Sequence, residues 1–404
     1  MRRPSSSIDP SQGRASRAAL VVLALAGAGV AALAPELRHA LPPFALVAGF
    51  LFAVLVFLSR RLRRGKVFLY NAAFVLLALA IAELAFFFLL DRNGRTVSDG
   101  TYTQRHFTPL PELGYGSLRE KRVTTSRLLA SGKVLYDVTY TIDDDGLRTT
   151  PRGYSTPQAL FFGCSYTFGE GVQDDETLPA LFGAGTGISA VNFGFHGYGP
   201  HQMLRALELD LPRAFGHGSA TVALYTAHPT HIDRANGRSA WDQQGPKYEL
   251  TDGTLQYRGP FSQTPWLLDK LLSHSKLATA VRGRLGALAT DETRDRETFL
   301  AIVRESGRLV QTNYGAQFYV LLWDVGPTLS PLERDRARWL KREAPRAGLR
   351  LIALSDEAPQ LGEPRFYIPV DGHPTAAAYA EAARVLTATI ARRPAPTDVA
   401  RTPD

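Results

Sequence analysis

The 404-residue chain has one cysteine, Cys164. A single thiol forms no intrachain disulfide and no cysteine-based zinc site, and it does not reveal the redox compartment. Internal repeats are also missing. So is a basic stripe interleaved with aromatics, which leaves nucleic-acid binding without support. No H-E-x-x-H helix is present, so the usual zinc-hydrolase pattern is absent. The formal net charge is +8. Many of the arginines flank apolar segments near the N-terminus, where they read as topology signals rather than as an anion-binding face.

What is present starts with three apolar stretches, Ala18–Ala34, Leu41–Leu58 and Val67–Leu90. Each is near the ~20 residues that cross a hydrocarbon core. Arg2, Arg3, Arg14 and Arg17 precede the first, and Arg60, Arg61, Arg63, Arg64 and Lys66 fill the second gap. The first gap holds only Arg38 and His39. The positive-inside rule then predicts a multi-pass protein of the cytoplasmic membrane with its N-terminus in the cytoplasm. Everything after Leu90 falls on the extracytoplasmic side, with the lipid bilayer as a partner. A signal peptide ending at Ala32-Leu33-Ala34 is the alternative for the first span, and it leaves that orientation unchanged. Glu83 interrupts the third stretch, where a carboxylate is expected to face a helix neighbour or a polar cavity.

Residues 91–157 read as a small β-rich lead-in. Val134 to Thr141 alternates at a strand period, and Asp145-Gly146 reads as a turn. Residues 158–393 read as the main domain. Its strand candidates are Ala159–Phe162, Ala190–Phe193, Thr221–Thr226, Gln317–Trp323 and Arg350–Leu354. Its helix candidates include Thr177–Phe182, Gln202–Asp210, Thr298–Asn313, Pro331–Ala347 and Thr375–Arg392. This alternation predicts an α/β fold with a parallel sheet, whose ligands bind at the carboxyl ends of the strands. Asp252-Gly253 marks a hairpin inserted at about residues 241–261. The Pro-, Thr- and Asp-containing tail, 394–404, is expected to be disordered.

Four polar clusters carry candidate chemistry. In "LFFGCSYTFGEGV" a strand ends at Gly163 and presents Ser165 two residues later. The α/β-hydrolase elbow has a second glycine two residues after its serine. Here Thr167 stands in that place, so the arrangement is a different one. A serine nucleophile needs a base and an orienting acceptor. "VDGHPT" offers His373 and Asp371 just before a helix that Thr375 can cap, although an Asp-Gly turn with an exposed histidine reads equally from the residues alone. "NFGFHGYGPHQ" places Gly194, Gly197 and Gly199 after a strand, where backbone N–H groups can meet a developing oxyanion. His196 and His201 read there as loop and helix-start residues. "LYTAHPTHIDR" holds His228, His231, Asp233 and Arg234. A metal reading of H-x-x-H-x-D stays open beside a donor role for one histidine, but no further spaced ligand supports it.

In this order, over Leu160 to about Leu386, the clusters resemble the blocks of the SGNH (GDSL-type) hydrolase family. "ELGYG" (Glu112–Gly116) and "TIDDDGLRTTP" (Thr141–Pro151) upstream resemble members with N-terminal transmembrane helices. The resemblance implies a flavodoxin-like three-layer fold and no cofactor or metal. It implies Ser165 as nucleophile and backbone oxyanion donor, Gly197 as second donor, and His373 with Asp371 completing a triad. The family's third donor is an asparagine. His231, or with less support His228, takes its place here, with His228, Arg234 and Gly194 as further lining candidates. The family spacing D-x-x-H is also one residue shorter here, with Val370 in the usual aspartate position. Cys164 stands where the family usually has aspartate and reads as a small buried side chain. A thiol nucleophile has nothing local to lower its pKa.

The function expected from these residues is a membrane-anchored serine esterase. It would act on acyl esters, O-acetyl first among them, of a surface glycan or exopolysaccharide or on another small ester. An O-acyltransferase using the same site and a non-catalytic glycan-binding envelope component are the alternatives.

Overall fold

The computed structural model describes residues 43–61, 65–90, 96–100, 107–262 apart from 118, 120, 121, 130, 152, 154 and 240, then 275, 277, 278, 281 and 290–391. The expected first span, 18–34, and the tail, 394–404, lie outside them. The chain divides into two compact units, one of Met1–Arg95 with Leu267–Arg282, the other of Thr96–Trp266 with Gly283–Asp404. The lead-in and the main domain thus share a unit.

In the first unit, helices α1 (Pro43–Arg61) and α2 (Lys66–Leu90) cover the second and third apolar stretches. Lys66–Ala85 is long and apolar enough to cross a membrane, whereas the apolar helical run Leu51–Arg60 is shorter. Ala73, Ala80 and Glu83 are buried and recur at helical spacing on one face of α2. Glu83 accepts hydrogen bonds from Ser275 Oγ at 2.7 Å and Leu277 N at 3.0 Å. The carboxylate is thereby satisfied by the start of a segment far along the chain, as a buried charge requires. Ser275 Oγ also accepts from Ala278 N, so one hydroxyl caps that segment and binds Glu83.

In the second unit, five parallel strands form the main sheet: β6 (Gln158–Gly163), β7 (Ser189–Asn192), β8 (Ala220–Ala227), β11 (Gln317–Leu322) and β12 (Arg350–Ala353). Their order is β12-β11-β8-β6-β7. The first strand thus lies between the second and the third, which is the flavodoxin-like order with its switch point beside β6. The strands read as continuous apolar runs because both faces are covered. Leu160, Phe162, Tyr225 and Val320 face one core, shared with Met203 and Leu204 of α5 (Pro200–Glu208) and Phe299 and Ile302 of α7 (Glu292–Tyr314). Phe161, Leu224 and Leu321 face the other, shared with Phe182 of α4 (Leu178–Thr186) and Tyr379 and Leu386 of α9 (Ala376–Ala391). The architecture is three-layered α/β.

Helix α7 begins at Glu292, earlier than the apolar period from Thr298 predicts. Asp291 supplies the reason: its side chain accepts from Arg294 N and caps a polar first turn. The inserted hairpin is present as β9 (Pro246–Thr251) and β10 (Thr254–Pro260). Asp252 and Gly253 both have positive φ, 50° and 75°, as a two-residue type I′ turn demands. The lead-in holds an antiparallel sheet of β1 (Thr96–Gly100), β4 (Val123–Leu129) and β5 (Val134–Tyr140), in that order, and a hairpin of β2 (Phe107–Leu110) and β3 (Gly114–Ser117). Strands β4 and β5 reach the site, and Tyr115 of β3 reaches the loop of Gly197, where its hydroxyl donates to His196 O at 2.8 Å.

Candidate active site

Strand β6 ends at Gly163, whose φ is +149° and whose Cβ, if it had one, would lie 2.3 Å from Thr167 Oγ1. The chain turns there and starts the four-residue helix α3 (Ser165–Phe168). Cys164 is buried at the turn, and its carbonyl accepts from Thr167 N and Phe168 N. Asn192, at the end of β7, donates from Nδ2 to Thr167 O at 3.0 Å and accepts from Gly194 N at 2.9 Å. Gly194, a lining candidate from its sequence, is closely packed: a Cβ there would lie 2.5 Å from Thr167 Cβ. Arg148, 1% exposed, clamps the loop after α3. It donates to Phe168 O (2.9 Å), Gly169 O (2.5 Å), Val172 O (2.7 Å) and Asp174 Oδ1 (3.0 Å). The loop carrying Ser165 is thus fixed from β7 and from the lead-in.

His373 comes from a tight turn closed by Ile368 N to His373 O (2.8 Å) and Gly372 N to Ile368 O (2.9 Å). Its Nε2 lies 2.8 Å from Ser165 Oγ. Its Nδ1 lies 2.5 Å from Asp371 Oδ1, which also accepts from His373 N at 3.2 Å. The shorter Asp-x-His spacing therefore still brings the carboxylate onto the ring. The backbone pays through Val370, 62% exposed with φ +67°, a left-handed conformation that a β-branched residue rarely adopts. Thr375 caps the following helix by accepting from Ala378 N.

Two further charged groups close the cluster. Arg127 Nη1 of β4 lies 2.8 Å from Asp371 Oδ2. That oxygen has no hydrogen-bond donor in line, so the contact is an ion pair. Glu170 Oε2 is 2.7 Å from His196 Nδ1 and 3.3 Å from His373 Nε2, with Arg127 3.7 Å from Oε1. Burial would raise the Glu170 carboxyl, but His373, His196 and Arg127 hold it well below the usual carboxylate range. Burial would lower His373, yet Glu170 and Asp371 outweigh it and its pKa lies above the ordinary imidazole value. Glu170, Asp371 and His373 bring metal-ligating atoms within 4.8 Å of one another. The Arg127 guanidinium already balances that negative charge, so the group reads as an ion-pair network.

The two histidines after β8 have different surroundings. His231 is fully buried. Its Nδ1 lies 2.7 Å from the Tyr225 hydroxyl and its Nε2 accepts from Arg234 Nη1 at 3.2 Å. Burial and Arg234 push its pKa well below the ordinary value. His228 is partly exposed. Its Nδ1 accepts from Thr230 N at 3.3 Å and meets Thr230 Oγ1 at 2.8 Å, which assigns the ring proton to Nε2. Burial and Arg234 lower its pKa to about 4. The Tyr166 ring touches both His228 and His373, with centroids 5.7 and 5.6 Å away. Asp233 forms a bidentate pair with Arg336, so the H-x-x-H-x-D motif does not converge on one point. Arg234 donates to Tyr198 O and so braces the loop that holds Gly197. Gly197 has φ +73°, and a Cβ would lie 2.5 Å from Trp241 Nε1 and 2.7 Å from Tyr115 Oη.

The structure brings Ser165, His373 and Asp371 into one hydrogen-bonded chain at the carboxyl end of β6, and it keeps His231 out of that chain. Glu170, Arg127, Arg148 and Asn192 are site-building residues that sequence reasoning missed. Glu170 lies inside "LFFGCSYTFGEGV" and Arg148 inside "TIDDDGLRTTP", stretches whose sequence singles out neither residue. Arg127 has no local signal, because its partner is distant in sequence.

No family model matches the chain, and no curated protein matches it. Among solved structures it is similar to a member of the lipolytic protein G-D-S-L family from Veillonella parvula DSM 2008. That match has 14% identity, covers 58% of this chain and 99% of the other, and has a TM-score of 0.35. An acetyl xylan esterase from the rumen bacterium Butyrivibrio proteoclasticus matches at 11% identity, over 58% of this chain and 64% of its own, with a TM-score of 0.32. A carbohydrate esterase family 2 enzyme with a carbohydrate-binding domain, from Corynascus thermopiles (Myceliophthora fergusii), matches at 14% identity, over 67% and 76%, with a TM-score of 0.34.

Proposed function

We propose that the chain is a serine ester hydrolase of the SGNH type, anchored in the cytoplasmic membrane by its N-terminal helices with the hydrolase domain outside. The observation that carries this reading is the chain Asp371–His373–Ser165, with contacts of 2.5 and 2.8 Å, at the switch point of a parallel sheet. Ser165 Oγ attacks the ester carbonyl and His373 Nε2 takes its proton. Asp371 fixes the ring through Nδ1. The N–H groups of Ser165 and Gly197, which donate to no backbone carbonyl among the described residues, stabilise the oxyanion. His228 Nε2–H is a better third donor than His231, because the hydrogen bonds of its ring engage Nδ1 and leave Nε2–H without a partner among the described residues, whereas the His231 ring is buried and engaged at both nitrogens. His373 must be neutral to act as base. Its raised pKa therefore means that activity falls as pH drops through a value above the ordinary 6.5.

The proposed substrate is an O-acyl, first an O-acetyl, ester on a surface or exopolysaccharide glycan. The Trp241 ring, 54% exposed with Nε1 3.4 Å from Gly197 O, offers an amphipathic face beside the oxyanion glycine for a sugar. The test is hydrolysis of p-nitrophenyl acetate by the wild type and Ser165→Ala. The substitution is expected to lower turnover by about 10⁴ or more with the fold intact. Undiminished turnover in the variant would contradict the assignment.

A further inference from the structure

His373 meets a carboxylate on each side. On the Nδ1 side, Asp371 Oδ1 lies at 2.5 Å, and on the Nε2 side, Glu170 Oε2 lies at 3.3 Å. We propose that Glu170 is a second positioning carboxylate, which holds the protonated His373 ring from Nε2 as Asp371 holds it from Nδ1. The inference rests on the reading of His373 as the base.

Glu170 is placed for this by the fold rather than by chance of rotamer. The carbonyls of Gly169 and Val172, on either side of it, are both bound by Arg148. His196 Nδ1 donates to the same Oε2 that faces His373, and the His196 ring packs on Phe168 with centroids 4.3 Å apart. Glu170 therefore stays ionised and fixed, with its acceptor oxygen next to Nε2.

In the acylation step the Ser165 O–H bond breaks as N–H forms at Nε2. The Oγ lone pair forms the bond to the ester carbon, and the carbonyl π pair moves to the oxyanion. The ring is now positive, and its charge lies between two carboxylates. Collapse of the intermediate sends the Nε2 proton to the leaving alcohol oxygen, and the ring returns to neutral. Glu170 gains and loses nothing, and its effect is electrostatic. The same charge favours the protonated ring in the free enzyme, so it moves the acid limb of activity to higher pH. The groups that set this balance are Asp371 from the turn, Glu170 from the loop after α3, His196 against Glu170, and Arg127 from the lead-in strand β4. Arg127 opposes the two carboxylates. The Tyr166 ring packs on His373 and carries no charge at neutral pH.

The test is a pH titration of His373 by NMR in the full-length protein in detergent, labelled with carbon-13 at the histidine Cε1 and assigned by loss of the signal in His373→Gln. Glu170→Gln keeps the side-chain shape and is expected to lower the His373 midpoint by about one pH unit or more. The acid limb of kcat/KM on p-nitrophenyl acetate should move down by the same amount. Glu170→Asp keeps the charge but draws it back from Nε2, and is expected to lower the midpoint by less than Glu170→Gln does. It carries the test alone if Glu170→Gln fails to fold. An unchanged midpoint in Glu170→Gln, or in Glu170→Asp where the glutamine variant does not fold, would show that Glu170 only struts its loop and would overturn the proposal. The titration needs no turnover. A wild type with no esterase activity would therefore count against the hydrolase reading, while the midpoints would still judge Glu170.

Discussion

The loop that carries Ser165 and the turn that carries His373 meet at 2.8 Å but are held in different ways. The first is buried and bound from outside, by four contacts from Arg148 and by Asn192. The second rises to the surface at Val370, closes on itself with two backbone hydrogen bonds, and takes its outside support from the Arg127 ion pair and from the Tyr166 hydroxyl, which donates to Gly372 O at 3.1 Å. In one loop packing and hydrogen bonds fix a position. In the other, charges fix the orientation of a ring. Damage to the two loops should therefore show up in different measurements.

The largest effect should come from the charge-held turn. Asp371→Asn leaves the turn's shape in place but removes the acceptor that selects the His373 tautomer. Turnover is expected to fall by about 10⁴, while the thermal midpoint moves little. A variant that loses stability and activity together would break the contrast. The second effect should come from the clamped loop. Arg148→Met removes donors from buried carbonyls and is expected to cost about 3 kcal/mol or more of unfolding free energy, measured by urea titration. At temperatures where the variant is still folded, it should keep most of its turnover. A stable but inactive Arg148→Met would mean that the lead-in acts on the chemistry and not only on the scaffold.

The same contrast shows what was legible in the sequence. The five strands of the main sheet stand within a residue or two of their apolar runs, because strands buried on both faces write that pattern directly. Ser165 was legible because it sits at the end of such a strand, and Asp371 and His373 because they stand in a short glycine-containing stretch just before a helix. The groups that hold them were not. Arg127 and Arg148 act across turns of chain that only the fold brings together, on partners that no local spacing reveals. His228 and His231 stand three apart and cannot be ranked from their letters. Burial, and which ring nitrogen is already engaged, separates them. Gly194 reads as a ligand-approach glycine, and the fold adds a second demand on it that the letters do not show, the close packing of α3 against the end of β7. The start of α7 was missed for a related reason, since a capped polar turn carries no apolar period.

The most direct test of the central claim, that Ser165 is an activated nucleophile, is covalent labelling. The full-length protein is treated with a fluorophosphonate at pH 8, and the modified peptide is identified by mass spectrometry. The account predicts one adduct, on Ser165, formed at least about 10²-fold more slowly in His373→Ala. Failure to label Ser165 in folded protein, or labelling at an undiminished rate without His373, would contradict it.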